Sequence, residues 1–141
     1  MDKKIRTIFE KLLKERYIDK NKCGLWILEG DSRNSFVGIS EEEPIEYQLF
    51  YYHNRDDVLE EDELKILLHE ISHIIVFEDF IKNKGTAKLR EELERYEEGK
   101  EIINLMDSGN KQEEYKKLFF ENEANIMGEK LYKMMKEEEN K

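Results

Sequence analysis

Near the N-terminus, Ile5, Ile8, Phe9, Leu12 and Leu13 recur at helical spacing and predict an amphipathic helix over residues 2–17. The turn-rich stretch Asp19 to Gly24 ends it. Two short apolar runs follow, at 25–28 and 35–39, separated by Gly30-Asp31-Ser32-Arg33-Asn34, a composition suited to a hairpin loop. Glu41-Glu42-Glu43-Pro44 interrupts the pattern, and the period then becomes two. Ile45, Tyr47, Leu49 and Tyr51 share one face while Glu46 and Gln48 take the other, which predicts a third strand over 45–52 that could form a sheet edge.

From Asp57 onward the helical period returns. Leu64, Leu67, Leu68, Ile71, Ile74 and Ile75 form one stripe, closed by Asn83-Lys84-Gly85. Residues 86–106 read as a further helix, with Leu89, Leu93, Tyr96, Ile103 and Met106 inward and a weak point at Gly99. After the turn 107–110, a last helix is expected over 112–136 with Tyr115, Leu118, Phe119, Ile126, Leu131 and Met135 as its apolar positions. Residues 136–141 are expected to fray. The expected fold class is α+β, a small antiparallel sheet of about three strands packed on several helices.

Length and composition narrow the function classes. At 141 residues the chain is expected to be one domain. Its formal charge is 24 − 34 = −10, unevenly spread. The first 24 residues hold eight Lys/Arg and four Asp/Glu, so they carry +4 and the rest about −14. Lys3, Lys4, Arg6, Lys11, Lys14 and Arg16 read as the solvated face of the first helix. The acidic body argues against nucleic acid as a direct partner, which needs a basic face. No apolar run approaches the ~18 residues of a membrane span, and the N-terminus lacks a signal-peptide stretch. A single cysteine, Cys23, excludes an internal disulfide framework, so a cytoplasmic location is expected.

The segment that carries chemistry is His69-Glu70-Ile71-Ser72-His73. Two histidines four apart on a helix are separated by about 6 Å along its axis and face the same way. Two imidazoles so placed can reach one divalent ion, and Glu70, one step round, can address a water beside it as a general base. Chance would supply about 0.01 such motifs in this composition, so coincidence is a poor explanation. A catalytic zinc site needs a third protein ligand and an open position. His53 and Cys23 are available, but a carboxylate is the stronger candidate. Glu121-Asn122-Glu123-Ala124-Asn125 supplies Glu121, with Asn125 one turn further on the same face to accept from a ligating histidine. Gly128 continues that face, and its small size lets two helices approach closely. Glu123 is the rival ligand, about 200° round the helix from Glu121.

His-Glu-Ile-Ser-His followed by Glu-Asn-Glu-Ala-Asn resembles the ImmA/IrrE family of zinc metallopeptidases, within the gluzincins. The resemblance covers the motif helix and the last helix, about 40 residues. It implies a zincin-like metallopeptidase core holding one Zn²⁺ per chain, with His69, His73 and Glu121 as ligands, Glu70 as general base and Asn125 as a supporting hydrogen-bond partner. It also implies hydrolysis of a protein or peptide substrate, in a regulatory setting such as a phage or mobile-element repressor.

The reaction so implied also needs a donor for the oxyanion. Tyr47, Tyr51, Tyr52, His53, Tyr96 and Tyr115 are candidates, with His53 and Tyr51 foremost. The strand 45–52 could hold an extended peptide by edge pairing. A different class of function is a non-catalytic module that binds a regulatory protein and uses zinc only for structure. Four protein ligands would favour the module, and an open coordination position would favour the enzyme.

Overall fold

The computed structural model describes residues 2–54, 59–105 and 111–139. Helix α1 spans Asp2–Glu15 and buries Ile5, Phe9, Leu12 and Leu13, the stripe its periodicity predicts. Three strands follow, β1 (Cys23–Glu29), β2 (Phe36–Ile39) and β3 (Tyr47–His53), and then α2 (Glu61–Lys84), α3 (Thr86–Asn104), α4 (Lys111–Lys117) and α5 (Phe119–Glu139). The chain is therefore α+β. Among the described residues, no helix is long and apolar enough to cross a membrane.

The sheet differs from the expected antiparallel arrangement. Its strand order is β1-β3-β2, so β3 lies in the centre rather than at an edge, paired along its whole length by β1 and over Tyr47–Phe50 by β2. β1 runs parallel to β3, from Cys23 beside Tyr47 to Glu29 beside His53, and only β2 is antiparallel to it. The segment 30–34 is a crossover rather than a hairpin loop. The Gly30 N–H bonds to the His53 carbonyl at 3.1 Å, which carries the chain across the end of β3. Asp31 then caps a short 3-10 turn, Ser32–Asn34, by accepting from the Arg33 N–H.

The strand periodicity of β3 is realised in full. Ile45, Tyr47, Leu49, Tyr51 and His53 are buried toward the helices. The opposite face is uncovered and carries Trp26, Phe50 and Phe36 in one row across the three strands. Their rings stack, with centroids 6.2 Å apart for Trp26–Phe50 and 4.9 Å for Phe36–Phe50.

Helix α2 is the spine. Acidic Glu61, Asp62 and Glu63 fill its first turn and Lys82 and Lys84 its last, which complements the helix dipole. Its predicted stripe is buried throughout. In α3, Leu89 and Ile103 are buried while Leu93 and Tyr96 are half-buried; Met106 and the turn 107–110 lie outside the described residues, as does Asp57. The expected single last helix is two helices, broken at Leu118. Leu118 seats itself on Gly99, where a side-chain β-carbon would come within 2.7 Å of its Cδ2. The break shifts the buried face of α5, which is Phe120, Ala124, Gly128 and Leu131; Phe119 and Ile126, expected inward, are about half exposed. Helix α5 runs to Glu139, and near its end Lys136 bonds to Glu61 at 2.6 Å.

Candidate metal centre

The contact between α2 and α5 brings the two motifs together. The small residues Ala124 and Gly128 let α5 lie directly on α2 beside His69. On α2 the four-residue spacing places the His69 and His73 rings edge to face, with centroids 4.8 Å apart. Phe77, one turn further, lies under His73 at 5.9 Å and meets Phe120 of α5 at 5.0 Å, so the ring positions are fixed by packing.

Glu121 projects from the first turn of α5 between the two imidazoles. His69 Nε2 is 3.1 Å from Glu121 Oε2 and His73 Nε2 is 3.2 Å from Glu121 Oε1. Tyr96 of α3 donates its hydroxyl to the same Oε1. His69, His73 and Glu121 each offer a ligand atom, and these atoms lie within 4.8 Å of one another, so the group could hold a metal ion. The donor set tests well against that role. Ligand atoms about 2.0 Å from a tetrahedral ion lie about 3.3 Å apart, close to the 3.1 Å between His69 Nε2 and Glu121 Oε2. Without an ion the His69 contact is a hydrogen bond between imidazole and carboxylate, and the His73 contact is a close ion-pair approach.

The electrostatics are those of a tightly coupled group. Burial alone would push the Glu121 carboxyl up, but hydrogen bonds from His69, His73 and Tyr96, with the charge of His73, outweigh it and hold Glu121 well below the usual carboxylate range. Burial opposes the charge on His69, yet Glu121, the charge of Glu70 and a hydrogen bond with Asn125 raise it above an ordinary histidine. Glu70 is 9% exposed, and desolvation raises its carboxyl against the pull of His73 and His69. The Tyr96 hydroxyl is pushed far up, chiefly by burial and then by the charge of Glu121.

Tyr51 and His53 are placed elsewhere. The Tyr51 hydroxyl donates to the Glu63 carbonyl at 2.9 Å, and His53 Nδ1 lies 2.8 Å from Glu63 Oε2, at the start of α2. The Tyr51 hydroxyl and His53 Nδ1 are thus engaged at Glu63, while His53 Nε2 is buried with no hydrogen-bond partner among the described residues. Glu123 lines a different groove, with Val76, Asp79 and Phe119. Cys23 is buried in β1, where burial and the nearby Glu78 push its thiol up to about 12. Tyr96 is the tyrosine that the structure brings to the group. It precedes Glu121 by 25 residues with no motif linking the two, and its only sequence signal is its inward position on the 86–106 stripe.

No family model, no curated protein and no solved structure matches the chain.

Proposed function

We propose that this protein is a zinc-dependent peptidase with a zincin-like core, in which His69, His73 and Glu121 hold the metal and Glu70 is the general base. The observation that carries the reading is the meeting of His69, His73 and Glu121 from distant parts of the chain, with a buried carboxylate next to them. Two imidazoles and one carboxylate are a donor set of hydrolytic zinc. Three protein donors, not four, gather among the described residues, which favours an enzyme over a purely structural site.

A divalent ion held by His69, His73 and Glu121 would supply Lewis-acid polarisation of a water and of a peptide carbonyl. Glu70 does the proton work. Its carboxylate takes the proton of the attacking water and returns it to the leaving amine. Burial suits it to both roles, because a raised pKa lets one carboxyl act first as base and then as acid. Asn125 and Tyr96 hold His69 and Glu121 in place. The sequence resemblance extends the proposal to a regulatory protein as substrate.

Elemental analysis of the purified protein is expected to give close to one zinc per chain. Glu70→Gln is expected to keep that zinc and to lose hydrolysis of a quenched fluorescent peptide library. A Glu70→Gln variant as active as the parent removes the base assignment. A chain that binds no zinc removes the peptidase reading altogether.

A further inference from the structure

Glu121 has two carboxylate oxygens in unequal surroundings. Among the described residues, Oε2 has one hydrogen-bond partner, the His69 Nε2 at 3.1 Å. Oε1 faces the His73 Nε2 at 3.2 Å and also accepts the Tyr96 hydroxyl. A histidine that ligates an ion through Nε2 turns a lone pair to it and ceases to donate there. Of the three groups around Glu121, Tyr96 alone then keeps a proton to give.

Resting on the peptidase reading, we propose that Tyr96 is a positioning residue whose hydroxyl engages Glu121 Oε1 and so favours ligation through Oε2 over ligation through both oxygens. A glutamate bound through both oxygens would take the coordination position that a hydrolytic site keeps for water. The Tyr96 ring is well fixed for this task. It meets Phe120 at 5.7 Å, and the Lys100 ammonium lies 4.4 Å from its centroid. The helix that carries it is anchored by buried Leu89 and by Arg90, which donates to the Ser40 carbonyl at 2.6 Å. The long segment between His73 and Glu121 thus contributes a group to the centre. Removal of a comparable outer hydrogen bond typically costs 10–100-fold in metal affinity.

The test uses Co²⁺ as a spectroscopic probe and a chromophoric chelator as competitor. Tyr96→Phe is expected to bind Co²⁺ 10–100-fold more weakly than the parent. Its visible absorption is expected to lose intensity as the ion moves from four to five ligands, a change that simple loosening of α3 does not produce. Parent-like affinity with a parent-like spectrum overturns the inference and leaves the peptidase reading intact. Failure of the parent itself to bind Co²⁺ or Zn²⁺ overturns both. Should Tyr96→Phe not fold, the infrared difference between metal-loaded and metal-free parent decides: widely split carboxylate stretches support ligation through one oxygen, and narrowly split ones refute it.

Discussion

Gly128 lies against the backbone of His69. A β-carbon added at Gly128 would sit 3.4 Å from the His69 Cα and 3.6 Å from its nitrogen. One methyl therefore just reaches contact, and anything larger must push α5 off α2. Gly128→Ala is expected to be close to neutral, because a helix-propensity gain of up to about 1 kcal/mol offsets the tight contact. Gly128→Leu is expected to cost about 1–3 kcal/mol by overpacking and to weaken metal binding by moving Glu121 from the histidines. Urea denaturation and metal titration of both variants check this.

The two acidic residues of Glu121-Asn122-Glu123 have separate fates, so their variants should behave differently. Glu121→Ala is expected to lose the metal, while Glu123→Ala, in the groove beside Val76 and Asp79, is expected to keep it. Metal bound to the native state at 1,000 times its Kd stabilises by about 4 kcal/mol. A chelator is thus expected to lower the Tm of the parent and of Glu123→Ala, and to leave His69→Ala and Glu121→Ala unmoved. Thermal scans with and without chelator are the measurement.

Glu63 ties β3 to the start of α2. Its carboxylate accepts from His53 Nδ1 at 2.8 Å, from the Asn54 N–H at 3.3 Å and from the Glu60 N–H at 3.4 Å. Glu63→Ala leaves the buried His53 ring without that partner and is expected to cost about 1–3 kcal/mol, with metal binding retained. Denaturation paired with metal stoichiometry separates this from a role at the centre. Loss of metal without loss of stability would return His53 to the site.

Cys23 is expected to be inert until the protein unfolds. Burial and the neighbouring Glu78 raise its thiol to about 12 from 9.0, which lowers the thiolate fraction about a thousandfold at pH 8. The sign follows from the bound proton. Below pH 9 both folded and unfolded thiols are protonated, so stability does not change; from pH 9 to about 12 only the unfolded thiol ionises, and stability falls. Thiol titration of native and urea-unfolded protein at pH 8, with denaturation repeated at pH 10, tests both statements.

Most individual elements were legible because each is written in local periodicity. The stripe from Leu64 to Ile75 and the alternation from Ile45 to Tyr51 report which side of one helix or strand is buried. The order of strands is not local in that sense. Gly30-Asp31-Ser32-Arg33-Asn34 has the composition of a hairpin loop, yet a hydrogen bond from Gly30 to His53, far along the chain, makes it a crossover. The break at Leu118 was hidden for a similar reason. It depends on the vacancy that Gly99 leaves on another helix, and it moves the buried stripe of α5 onto Phe120, Ala124 and Gly128.

The same division holds at the candidate metal centre. The grouping of His69, His73 and Glu121 was readable because a site able to hold an ion calls for particular residue types at helical spacings. Tyr96 was one of six candidate donors, and only the packing of α3 distinguishes it from Tyr51 and His53.

The central position of β3 has a kinetic consequence. The β2–β3 ladder joins Ile39 to Tyr47 across a short connection, whereas β1 meets β3 only through pairs such as Cys23 with Tyr47, for which everything between must first be threaded. Closing the shorter loop forfeits less chain entropy. The antiparallel pair is therefore expected to zip early and to present the template onto which β1 adds, so that substitutions in β1 accelerate unfolding more than they retard refolding.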